Sequence, residues 1–206
     1  MQYSFVQQRS IQKLFFGFWA ALSMFVLYPP SAHAVFINEI HYDNTSSDIG
    51  EAVELAGAAG QDLAGWSLLF YNGSTGSVYK NYALSGVFAN TQQGMGVLGF
   101  SISGIQNGSP DGVALVNDAD NVVQFLSYEG SLTASDGAAA GLTSIDIGVA
   151  EDSSTPVGSS LQLIGSGREY ADFYWVAGVG SFGGINQQQV FAAPAGLVRV
   201  PPARLG

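Results

Sequence analysis

The chain of 206 residues has no cysteine, only six lysines and arginines, and one long apolar run. Without cysteine there are no disulfides, no thiolate catalysis and no thiolate metal centre, so stability has to come from apolar packing. The shortage of cations is sharper than the count. Arg9 and Lys13 precede the apolar run, and all 16 acidic residues lie beyond Ala34 against only Lys80, Arg168, Arg199 and Arg204. Proteins hold nucleic acid largely by displacing phosphate counterions with Lys and Arg, so four scattered cations on an acidic chain argue against direct nucleic-acid binding. His41 is the one histidine beyond Ala34, and no Gly-x-Ser-x-Gly elbow occurs. Ser-His-Asp chemistry would rest on that imidazole alone, and no cluster of cations waits to stabilise phosphoryl charge. This inventory predicts a protein without catalytic activity.

The apolar run, Leu14 to Tyr28, is followed by Pro29, Pro30 and the small-residue pattern Ala32-His33-Ala34. It is shorter than the roughly 20 residues of a bilayer span, and the pattern predicts a secretory signal over residues 1–34, cleaved near Ala34. An uncleaved N-terminal anchor is the competing reading. The product is expected to be periplasmic or extracellular. Residues 35–191 have the length of one domain, and 192–206, with Pro194, Pro201 and Pro202, reads as a tail.

From Val35 onward short apolar stretches alternate with turn residues, and no segment keeps a helical apolar period. The class is all-β. Strands are predicted near 36–42, 51–56, 66–72, 78–82, 94–100, 112–117, 122–128, 143–147, 160–164 and 173–176. In the third, Trp66, Leu68 and Phe70 share one face and Ser67, Leu69 and Tyr71 the other, which suits an interior strand. The stretches 112–117 and 122–128, joined by Asp118-Ala119-Asp120-Asn121, form the clearest hairpin. Ser131 to Gly141, small and polar, is expected to be a surface loop.

Several motifs fall in a telling order: Ile37-Asn38-Glu39-Ile40-His41-Tyr42, Gly50-Glu51-Ala52-Val53-Glu54-Leu55 and Asp62-Leu63-Ala64-Gly65-Trp66. Then come Ser160-Leu161-Gln162-Leu163-Ile164, Asp172-Phe173-Tyr174-Trp175 and the closing Gly184-Ile185-Asn186. Each is weak alone, but the series resembles the lamin-tail domain of the exported bacterial kind that accompanies extracellular nucleases and phosphatases. The resemblance spans about Val35 to Phe191. It implies an immunoglobulin-like β-sandwich without chemistry of its own, and with 15 residues after Phe191 in this sequence no nuclease or phosphatase domain is expected beside it.

Two readings stay open for the acidic residues. Asp43, Asp48 and Glu51 could converge on a Ca²⁺ ion, which takes six to eight oxygen ligands from flexible loops, or could be solvated loop acids. Glu39 and Glu54 fit structural carboxylates that accept turn amides at one end of the sandwich. His41, on the face of Glu39, is expected to be a hydrogen-bonded packing residue. Trp66 and Trp175 suit either the core or a stacking platform for sugar rings, with the core favoured. The expected function is a secreted, non-catalytic binding or scaffolding module for a protein or carbohydrate at the cell surface. The alternative is an accessory or truncated part of an extracellular nuclease system that acts with a separate catalytic domain.

Overall fold

The structure, a computed structural model, describes residues 35–45 and 47–194. The signal segment predicted over 1–34, with its predicted cleavage point, and the tail beyond Pro194 lie outside the described residues. Two β-sheets make up the described chain, with one 3₁₀ turn at Tyr170–Asp172 and no α-helix among the described residues. No helix among them is long and apolar enough to cross a membrane.

The strands are β1 Phe36–His41, β2 Ala52–Ala58, β3 Ser67–Asn72, β4 Ser77–Ala83, β5 Met95–Ser101 and β6 Asp111–Val116, followed by β7 Val122–Tyr128, β8 Ile145–Asp146, β9 Ser159–Gly167, β10 Phe173–Val179 and β11 Gln189–Phe191. The first sheet runs β10-β9-β1-β2-β5, with β11 added in parallel to the far end of β9. The second runs β4-β3-β6-β7-β8. Period-two alternation makes this possible. Leu68 and Phe70 turn inward to meet Ile37, Ile40, Val53 and Leu55 of the opposite sheet, while Leu69 and Tyr71 turn outward. Fully burying a side chain such as Leu68 or Phe70 stabilises by roughly 1.5–3 kcal/mol, which is the resource a cysteine-free chain relies on.

In β1 the register against β2 shifts between Ile37 and Glu39. The extra residue, Asn38, lets Ile37 and Ile40 both enter the core at a spacing of three, and lets Asn38 and Glu39 both reach the polar groups on the outer side. Tyr42, just past the strand, stacks on Tyr128 of β7 with ring centroids 3.8 Å apart and ties the two sheets together.

One expectation gains detail and one needs correcting. The segment 131–141 is a surface loop with most of its residues exposed, as expected, yet it is anchored, because Leu132, Ala134 and Ala139 are buried against Tyr71 and Phe125 on the outer face of the second sheet. Its small residues are what let the backbone approach a ring so closely that the amide of Ala139 donates to the Tyr71 hydroxyl at 3.1 Å. The strand expected over 143–147 shrinks to the two residues of β8, because Ser144 turns inward to Leu132 and Ser127.

Candidate functional site

Beneath the connection from β10 to β11, the outer face of the first sheet is a buried polar layer. Glu39 and Glu54 are cross-strand neighbours, both fully buried. Oε1 of Glu39 accepts from the Ser160 hydroxyl at 2.6 Å and from the Ser181 amide at 2.7 Å. Oε2 of Glu54 accepts from the Gly183 amide at 2.6 Å, and its Oε1 from Nδ2 of Asn38 at 2.9 Å. Both carboxylates therefore take turn amides, as the sequence suggested. Burial raises the pKa of both; that of Glu54 is pushed up to about 8, with the neighbouring Glu39 charge adding to the rise against the bonds from Asn38 and Gly183. Asn186 completes the layer: its Nδ2 donates to the carbonyls of Asn38 and Leu163, and its Oδ1 accepts from Ser181.

A second buried group sits at the end of β1. Glu151, which nothing in the sequence singled out, accepts from Nδ1 of His41 at 2.8 Å, from the Tyr42 amide at 2.7 Å and from the Asp43 amide at 3.1 Å. Nε2 of His41 lies 2.8 Å from Nδ2 of Asn44 and 3.1 Å from the carbonyl of Ile49. Both ring nitrogens are spent inside the protein, so the imidazole is a packing and bonding residue.

Of the two readings open for Asp43, Asp48 and Glu51, convergence on one cation is not the arrangement seen. Glu51 turns the other way, and its two oxygens accept the amides of Gly104 and Ile105 at 2.6 Å each. Asp43 and Asp48 stay near each other, and burial together with the Asp48 charge raises the pKa of Asp43. Among the described residues no group of three or more His, Asp or Glu is arranged to hold a metal ion. Glu51 is thus a third amide-binding carboxylate, one step from the role foreseen for Glu39 and Glu54. Trp175 is buried in the core with its Nε1 donating to the Tyr170 hydroxyl at 2.9 Å, and Trp66 packs half-buried against the same core.

Between these two buried groups a cavity of about 390 Å³ opens at one end of the first sheet. His41 lies at its floor, and Ile49, Val157 and Phe182 form its walls, with Gly158, Ser159 and Gly180 between them. The walls are held from below: Ile49 by the His41–Asn44 junction and the 180–183 turn by Glu39 and Glu54. Its rim is aliphatic and open to solvent, with Ile49 54% and Val157 58% exposed and Val179 beside it 66% exposed. An adjoining cleft of about 470 Å³ is lined by Asp43, Glu129, Glu151 and Asp152, so the approach to this end is anionic. Comparison with protein-family models, with curated proteins and with solved structures gave no match.

Proposed function

We propose that this chain is a secreted, non-catalytic binding module of the lamin-tail kind, an immunoglobulin-like sandwich that presents one end to a protein partner. The observation that carries the reading is the cavity above His41, whose 180–183 wall is pinned by buried carboxylates and whose rim leaves Ile49 and Val157 in water. Pre-positioned walls lower the ordering cost of binding, and exposed apolar groups around a concavity mark interaction sites. An aliphatic rim suits an apolar side chain of a protein better than a sugar face, and neither tryptophan weighed for stacking lines this cavity. The ordered sequence motifs and the two-sheet architecture support the lamin-tail reading. The commitment of both His41 nitrogens and of Glu39, Glu51 and Glu54 to structural bonds supports the absence of catalysis.

The test is to screen the purified protein against a displayed peptide library and a glycan array. Peptides with an apolar anchor should bind, and Ile49→Asp or Val157→Asp should weaken them at least tenfold. Leu142→Asp, at an exposed aliphatic position outside the cavity, should not. Equal loss in all three variants, or binding by glycans alone, overturns the protein-partner reading. Metal-dependent cleavage of DNA by the pure protein overturns the non-catalytic one.

A further inference from the structure

The sequence contains two Asn-Gly pairs, Asn72-Gly73 after β3 and Asn107-Gly108 before β6, and the fold brings both to one carboxylate. Asp111, the buried first residue of β6, accepts the Gly73 amide on Oδ1 at 2.8 Å and the Gly108 amide on Oδ2 at 2.8 Å. Neither glycine leaves room for a side chain. A Cβ on Gly73 would lie 1.6 Å from the Pro110 carbonyl oxygen, and one on Gly108 would lie 2.9 Å from the accepting Oδ2 of Asp111. The two dipeptides are therefore imposed by the close approach of their backbones to residues 110–111.

Asn-Gly is the dipeptide most prone to turn on its own side chain. The deprotonated glycine nitrogen attacks Cγ of the asparagine, a C–N bond closes a five-membered imide while Cγ–Nδ2 breaks and ammonia leaves, and water then opens the ring to aspartate or isoaspartate. Glycine favours closure because no Cβ obstructs it. The nucleophile forms only when the glycine N–H loses its proton, and a carboxylate that accepts this N–H both stabilises the proton and repels the anion left behind.

We propose that Asp111 guards the chain against this reaction: by holding the Gly73 and Gly108 amides it keeps both Asn-Gly pairs from closing, and Asn107 is the latent modification site that reacts when the guard is lost. The two pairs are secured to different depths. At Asn72 the side chain is also held, with Oδ1 accepting from the Ser74 amide and hydroxyl and from the Thr75 amide, and Nδ2 donating to Oε1 of Gln106 at 2.7 Å. Asn107 is exposed, and among the described residues its side chain has one partner, Oδ2 of Asp48 at 3.4 Å. Its protection depends on Asp111. Asn107 also lines the anionic cleft with Asp43, Glu129 and Asp152, so its conversion adds negative charge at the end of the molecule that carries the cavity. Only that consequence rests on the proposed binding role.

The experiment is peptide mapping by mass spectrometry of the purified full chain, held for weeks in mildly alkaline buffer without ligand. In the folded natural protein Asn107 should deamidate at least about tenfold more slowly than in a free peptide of residues 104–110, the factor one charge-assisted hydrogen bond supplies. Asp111→Ala should restore about tenfold at Asn107 and less at Asn72. Asp48→Ala, which frees the Asn107 side chain and leaves the guard in place, should change either rate by no more than about twofold, because a 3.4 Å contact is weak. A natural protein that reacts as fast as the peptide overturns the proposal. So does a slower reaction in Asp111→Ala, which would make the carboxylate a base that drives closure, and so does equal acceleration by Asp48→Ala. If circular dichroism shows Asp111→Ala unfolded, NMR of the natural protein decides: the Gly73 and Gly108 amide protons should shift together at the Asp111 midpoint, and separate or absent shifts overturn the guard. A failed ligand screen leaves the guard standing, and rapid deamidation leaves the binding role standing.

Discussion

Each sheet has its outer face covered by a loop, and the two coverings follow opposite chemistry. Over the second sheet, 131–143 lays Leu132, Ala134 and Ala139 on Leu69, Tyr71, Val116 and Phe125. Over the first sheet, 180–189 sets Ser181, Gly183 and Asn186 on Glu39, Glu54, Asn38 and Gln162. The apolar cover is held chiefly by packing, with few directional bonds such as that from the Ala139 amide to the Tyr71 hydroxyl. The polar one is directional, since each buried amide needs its own acceptor and each carboxylate must give up water. The cavity lies beside the polar cover, where loop positions are specified by single bonds. Closeness to the fixed loops, more than stability, distinguishes that end of the molecule.

Removing ring volume from the apolar side should have the largest effect. Phe125→Ala, which empties the space beside Tyr71 at a centroid distance of 5.0 Å, should cost about 3–5 kcal/mol in urea unfolding. The loss should be equal at acidic and alkaline pH, and a pH-dependent loss would erase the contrast. On the polar side, Glu39→Ala strands the Ser160 hydroxyl and the Ser181 amide, at about 1–3 kcal/mol for each buried donor left unsatisfied. Hydrogen exchange should show the 180–183 amides opening first.

The next effect is smaller and appears as a slope. The folded-state pKa of Glu54 is raised above its unfolded value of 4.5 to about 8, so the folded protein binds the extra proton in that window. Its contribution to stability is complete below about pH 4.5 and is lost as the pH rises towards 8. Glu54→Gln should flatten that decline, with Glu39 carrying what remains, and the gap to the natural protein should narrow as pH rises. A wild-type stability that climbs from pH 5 to pH 8 would contradict this. The smallest change should come from Asp118→Asn at the exposed β6–β7 turn, within about 0.5 kcal/mol by thermal unfolding.

Much of the frame was legible where neighbours in sequence are neighbours in space. The β6–β7 hairpin and the two-faced β3 were read from alternation alone, and β7 matches its expected bounds. β11 was missed because Gln189-Val190-Phe191 has no pattern of its own; it is held by parallel pairing with β9 and by Gln92, whose Oε1 accepts the Phe191 amide at 2.5 Å. The amide-binding roles of Glu39 and Glu54 were foreseen from motif position. Glu51 was placed with the loop acids because its partners, Gly104 and Ile105, are backbone amides more than 50 residues away and leave no side-chain signal. Glu151 was invisible for the same reason, being 110 residues from His41.

The strand order carries one further consequence. β1, the first strand described, is seated between β2 and β9, and its bulge residue Asn38 exchanges two side-chain bonds with Gln189. β1 therefore waits, with its second neighbour missing, until β9 has been made. Such distant pairing slows folding. With no cysteine in the sequence, no sulfur bridge can lock a premature arrangement, and the place of β1 is fixed only when β9 and Gln189 arrive to clasp it.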